Sequence, residues 1–150
     1  GDRKEENVMP LPRPPGHHPI TPSIVVRGAA GFIDFLESAF DAAVVARYDM
    51  GEDKIAHAEV RIGDSSLMLG DSVPGFEPMP SMLTVYVDDV DVTYARALAA
   101  GASSITAPAN QFYGHRSARV LDVWGNKWSI AAVVEEVSEQ EIIRRMESMG

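Results

Sequence analysis

The chain is built twice. Thr21–Leu69 laid over Met82–Ile130, a constant offset of 61 residues, aligns like segments without a gap. Ile24-Val25-Val26 falls on Val85-Tyr86-Val87, and the segment ending at Phe40 falls on the one ending at Gly101. Val44 falls on Ile105, and Ser66-Leu67-Met68-Leu69 on Lys127-Trp128-Ser129-Ile130. Residue identity across the offset is near chance, so pattern is what repeats. Two half-units that each leave an apolar face open must pair, and pairing leaves a cleft between them.

Each unit reads β-α-β-β-β. In the first, Thr21–Arg27 is rich in β-branched residues and reads as a strand. Ala29–Phe40 reads as a helix, with Phe32, Ile33, Leu36 and Phe40 on one face. Val44–Asp49, Ile55–Ile62 and Ser65–Gly70 read as strands joined by turns at Gly51–Lys54 and Gly63-Asp64. In the second unit, Leu83–Val87 is a strand and Asp88 or Asp89 caps a helix buried through Val90, Tyr94, Ala97 and Leu98, with Gly101 as its stop. Strands follow near Ser104–Ala107, Ala118–Asp122 and Lys127–Val133. The expected organisation is α+β. A Pro-rich tail over 1–19 precedes one domain over 20–136, made of module one (20–70), a linker (71–80) and module two (81–134). A helix over 137–150 closes the chain, begun by a Ser138/Glu141 capping box and striped by Ile142, Ile143, Met146 and Met149. That stripe calls for packing on the domain or on a second subunit.

Composition bounds the function. With 150 residues and 45% hydrophobic content the chain can bury one core. A net charge of −9 argues against nucleic acid and anionic membrane surfaces. The absence of Cys removes disulfides and thiolate chemistry. No apolar run approaches the roughly 20 residues of a spanning helix, and the start does not read as a signal peptide. A cytoplasmic location is therefore expected.

A few polar and aromatic residues can carry chemistry. On the third strand His57, Glu59 and Arg61 share one face, and Ala58, Val60 and Ile62 the other. His57 and Glu59 read either as a general base with its orienter or a ligand-binding pair, or as the solvent-facing side of a half-exposed strand. The stretch Pro108–Ser117 reads as a long loop. Its Phe112 and Tyr113 would either lid a cavity or pack on the surface, and Arg116 or Arg119 would meet an anion or a ring. Trp124 and Trp128 line a cavity or fill the core. His17-His18 in the tail reads as a solvated pair, two ligands being too few for a metal site. No phosphate-binding Gly loop and no nucleophile elbow occurs, and nothing brings His115, Asp122 and a serine into a triad.

The paired modules resemble the vicinal oxygen chelate superfamily, which includes glyoxalase I, ring-cleaving dioxygenases and bleomycin-binding proteins. The local phrases are similar to its PhnB-like glyoxalase/bleomycin-resistance branch. These phrases are residues 21–30 (TPSIVVRGAA), 57–65 (HAEVRIGDS), 87–91 (VDDVD), 111–116 (QFYGHR) and 122–128 (DVWGNKW), with the tail phrase 137–146. The resemblance covers about residues 20–149 and implies a curved mixed sheet around a cleft, with a structural turn at Asp122–Gly125 before the last strand. It also implies metal-ligand positions at Thr21, Met68, Met82 and Ser129. None of the four is His, Asp or Glu, nor is any residue one step to either side. Neither a metal nor another cofactor is therefore expected, since divalent ions want imidazole or carboxylate. Met68 and Met82 would instead give the cleft a soft, adaptable floor. The implied function is binding of a small planar or hydrophobic molecule, as in antibiotic sequestration, by a homodimer. The alternative is a metal-dependent lyase, isomerase or dioxygenase using His57 and Glu59.

Overall fold

A computed structural model describes residues 10–150. The tail's charged first segment lies outside the described residues. The elements are β1 (Ser23–Val26), α1 (Ala29–Phe40), β2 (Ala43–Gly51), β3 (Lys54–Ile62) and β4 (Ser65–Asp71), then β5 (Met82–Tyr86), α2 (Val90–Ala99), β6 (Ser103–Asn110), β7 (His115–Leu121), β8 (Lys127–Val133) and α3 (Glu139–Met149). The 61-residue pattern of the sequence is thus the pattern of the fold. It forms two four-stranded sheets, β1-β4-β3-β2 and β5-β8-β7-β6. In each, the first strand pairs in parallel with the last and the others run antiparallel. The sheets are separate hydrogen-bonded units, and the modules are joined by packing.

Local chemistry accounts for the elements. Apolar residues at helical spacing bury Phe32, Ile33, Phe35, Leu36 and Phe40 on α1. The Asp89 side chain accepts from Val92 N at 3.1 Å and caps α2. Glu52 and Asp53 both take positive φ (55° and 59°), so the β2–β3 reversal is a tight two-residue hairpin. The side chain of Ser138 accepts from Glu141 N, but the Glu141 carboxylate is drawn to Arg144 and Arg145 instead of back to the cap, so only half of the expected capping box forms.

The helix-bearing sides of both modules share one core. Ile24, Val26, Leu67 and Leu69 join Val85, Trp128 and Ile130 in it. Trp124 crosses from module two onto α1, 5.1 Å from the Phe32 ring centroid and 5.9 Å from Phe35, and its Nε1 donates to Arg27 O at 3.0 Å. Phe40 meets Trp128 at 4.8 Å. Arg96 of α2 forks onto Asp41, just past the end of α1, and donates to Ser38 O in its last turn. The opposite faces of both sheets are turned away from this core.

Two further sequence expectations change, and one of the two alternatives for α3 is set aside. The Pro108–Ser117 loop is mostly strand, because β6 runs to Asn110 and β7 starts at His115, leaving a tight turn. His17 is not solvated but packed on β3. The apolar stripe of α3 does not pack on the domain: no residue of α3 is buried, and Ile143, Met146 and Met149 are exposed.

Asp71 ends β4 buried, where its carboxylate accepts from Gly28 N (2.8 Å), Ala29 N (3.1 Å) and Ile55 N (2.7 Å). Burial pushes its pKa up, but these three N–H groups and Lys54 outweigh burial and hold it below the ordinary value of 3.8. Such a group stabilises the fold above its unfolded pKa, and that contribution is lost as pH falls through the lower folded pKa. Asp71→Asn should therefore lower stability at pH 7 and flatten the loss of stability below about pH 4, as read by urea midpoints across pH 2–7. Parallel acid limbs for the two proteins would show that Asp71 does not carry this dependence.

Candidate functional site

The outward sheet faces hold most of the candidate residues. On module one, alternation along β3 puts Ala58 and Val60 into the core and leaves His57, Glu59 and Arg61 outward. Neighbouring strands add Met68 opposite Glu59 and Tyr48 opposite His57. Tyr48 and His57 stack with ring centroids 6.2 Å apart. Glu59 is bonded to His17 Nε2 at 2.9 Å, not to His57, so the general-base pairing of His57 with Glu59 is not made.

On module two, the outward face carries Met82, Thr84 and Tyr86 from β5, Lys127 and Ser129 from β8, and His115 and Arg119 from β7. Met82, Arg119 and Ser129 line one cavity of about 220 Å³, with Leu83, Thr84 and Lys127. At the other end of the face Tyr86, Tyr113 and His115 form an aromatic cluster, with Tyr113 and Phe112 edge to face at 5.1 Å. Met82 is 84% exposed, a large apolar side chain on an outward sheet face.

The two tryptophans stand apart from both faces. Trp124 is packed between the modules against Phe32 and Phe35. Trp128 is buried, its Nε1 donating to Asp122 Oδ2 at 2.9 Å. It also backs a second cavity of about 320 Å³ at the seam between the modules. Ile62, Leu67, Leu83 and Val85 give that cavity apolar walls, and Thr21 and Asp64 lie at its polar side. The candidates thus fall into three groups: His57, Glu59 and Met68 on one sheet; Met82, Arg119 and Ser129 on the other, with Phe112 and Tyr113 in its β6–β7 turn; and Trp124 and Trp128 at the joint. A cleft between the paired halves was expected from the repeat, but its lining was not: the walls come from four segments, and of the candidate residues only Trp128 is among them.

The four positions where related folds hold a metal do not fit one. Thr21 Oγ1 is engaged with His18 O and His17 Nδ1, Met68 and Met82 offer thioethers, and Ser129 a hydroxyl. Among the described residues no three His, Asp, Glu or Cys side chains come together as an ion site. Among the same residues no helix is long and apolar enough to cross a membrane.

Comparison with known proteins agrees with this architecture. An uncharacterized Mycobacterium tuberculosis protein, Rv0887c, is 37% identical over 161 residues, covering 100% of this chain and 90% of its own. The crystal structure of TioX from Micromonospora sp. ML1 superposes with a TM-score of 0.65 at 23% identity, over 77% of this chain and 98% of that one. A PhnB protein from Bacillus cereus, described as a putative 3-demethylubiquinone-9 3-methyltransferase, gives 0.60 at 19% identity, over 77% and 99%. At these identities the structural likeness speaks to fold alone. The family model for the Glyoxalase/Bleomycin resistance protein/Dioxygenase superfamily matches residues 7–130, and with the two modules described above it shows that the chain belongs to that superfamily.

Proposed function

We propose that this chain is a small-molecule binder that works as a homodimer. The ligand is held between the outward face of one module and the outward face of the other module from a second copy. The observation that carries this reading is Met82. A thioether 84% exposed, beside Arg119 and Ser129 in a cavity of about 220 Å³, needs a cover. Tyr86, Tyr48 and Val133 on the outward sheet faces, and Ile143, Met146 and Met149 on α3, need one too. A second copy supplies apolar area for all of them.

The lining defines the ligand class. Methionine gives way to irregular shapes, and the tyrosines stack on planar ones. Arg119 and Lys127 with the Ser129 and Thr84 hydroxyls are donors, so the ligand has a flat or apolar body and a hydrogen-bond acceptor at one end. Sequestration of an antibiotic of that shape requires no chemistry from the protein. The donor set at Thr21, Met68, Met82 and Ser129 favours this reading over metal-centred lyase or dioxygenase chemistry.

Thermal-shift screening against planar antibiotics, 2-oxoaldehyde–thiol adducts and divalent ions tests it, since ligands of the folded state raise its Tm. Planar compounds should raise Tm and divalent ions should not. Met68→Glu and Met82→Glu each place a carboxylate on an outward face, and each should weaken binding about a hundredfold while circular dichroism stays native. Stoichiometric metal that co-purifies and whose removal abolishes binding would defeat the proposal, as would unchanged affinity in both variants.

A further inference from the structure

Residues Arg13–Pro22 lie as a strap on the outward face of module one. His17 Nε2 donates to Glu59 Oε2 at 2.9 Å, and the two side chains are only 7% and 15% exposed. His17 Nδ1 then faces the Thr21 hydroxyl at 3.4 Å. Ser66 Oγ donates to Gly16 O, and the Arg61 guanidinium packs so closely on Gly16 that a Cβ there would collide with it. Arg13 Nε donates to His17 O and steadies the bend.

We propose that this strap is a displaceable occupant of the module-one half of the ligand cleft, so that a ligand using that face must first lift it. The inference rests on the reading above, in which the outward faces bind the ligand. Three features separate a plug from a permanent part of the sheet. The strap contains no strand, and its backbone meets the sheet at two points, Met68 N donating to Pro22 O and the longer Ser66 Oγ bond to Gly16 O at 3.4 Å. Pro14, Pro15, Pro19 and Pro22 stiffen it, so it lies down or lifts as a unit at low entropic cost. Third, the strap covers Arg61 without satisfying it: among the described residues Arg61 Nε is buried with no hydrogen-bond partner. A buried unmet donor destabilises the covered state, and an incoming acceptor would relieve it. The ligand that displaces the strap is thus an anionic or carbonyl-bearing planar molecule whose acceptor takes Arg61.

Two variants outside the sheet release the strap. Gly16→Val collides with Arg61 and puts a β-branched residue at φ 83°, where it is strained. His17→Ala removes the bond to Glu59. The probe is 8-anilinonaphthalene-1-sulfonate, a planar aromatic anion. In both variants hydrogen exchange of residues 14–22 should rise to that of free chain while the sheets stay protected. Affinity for the probe should rise about five- to tenfold, the factor by which the covered fraction lowers apparent affinity in the wild type. Adding Met68→Glu should abolish the gain. Unchanged exchange in both variants overturns the proposal, because the latch would not be holding the segment. Release without a gain in affinity also overturns it. If the probe binds wild type and released variants alike, only the plug falls. If it binds none of them although the strap is free, the ligand-face reading falls as well.

Discussion

Asp122→Ala should lower the free energy of unfolding by about 3–5 kcal/mol, a fall in Tm of roughly 6–20 °C for a domain of this size. Asp122 is 3% exposed and its carboxylate serves four donors. Oδ1 accepts from Trp124 N and Asn126 N, both at 2.9 Å, and closes the turn before β8. Oδ2 accepts from Asn126 Nδ2 at 3.0 Å and from Trp128 Nε1 at 2.9 Å. Removing it strands an amide that is 1% exposed and an indole that is 2% exposed, each a buried donor without a partner. The damage spreads, since Asn126 Oδ1 also accepts from Ser81 N and so holds the start of module two against this turn. Asp122→Asn separates the two oxygens. It can keep the backbone turn through Oδ1 but turns an NH2 toward the Trp128 N–H, so it should cost about half as much. The indole proton of Trp128 should shift strongly in the NMR spectrum while Trp124 holds its position. Stability within 1 kcal/mol of wild type for Asp122→Ala would mean that the carboxylate does not organise this turn.

That turn was legible in the sequence, and its partners were not. The resemblance of residues 122–125 to the superfamily's turn implies a reversal there, but nothing local says that the carboxylate reaches Trp128. The same division runs through the molecule. The helix over Ala29–Phe40 stands where its apolar spacing puts it, because a buried helix face must recur at helical period. The offset between modules survives because each strand must find the same neighbours in both sheets. Pro108 misled the reading of β6. Proline is excluded from central strands but tolerated on an edge, and β6 is the edge of its sheet, with a register shift between Thr106 and Ala109. The face of β3 turned outward was open in the sequence because alternation fixes two faces without saying which meets a helix. Packing of α1 decides it, by burying Ala58 and Val60. The contact of His17 with Glu59 spans 42 residues between a segment without periodicity and a strand. Local pattern carries no trace of such a pair.

Phe32→Ala should cost about 3–5 kcal/mol, as a fully buried aromatic cut back to a methyl leaves a cavity that its neighbours fill only in part. Phe32 is 0% exposed and lies edge-on to Trp124 at 5.1 Å. It therefore sits in the joint between modules and not only beneath α1. An aromatic row runs through the joint, from Trp124 against Phe32 and Phe35 to Trp128 against Phe40. The polar contacts beside it, such as Arg96 with Asp41, are exposed and add little. Because neither module closes a core alone, loosening the row should unfold both together, giving one urea transition with an unchanged m-value. A double-mutant cycle isolates the joint itself. Trp124→Ala and Phe32→Ala should fall short of additivity by about 1 kcal/mol, the usual coupling of an edge-to-face aromatic pair. Strict additivity would mean that the rings do not meet. Two separate transitions would mean that each module holds its own fold, and the cleft would then need another explanation than the pairing of halves.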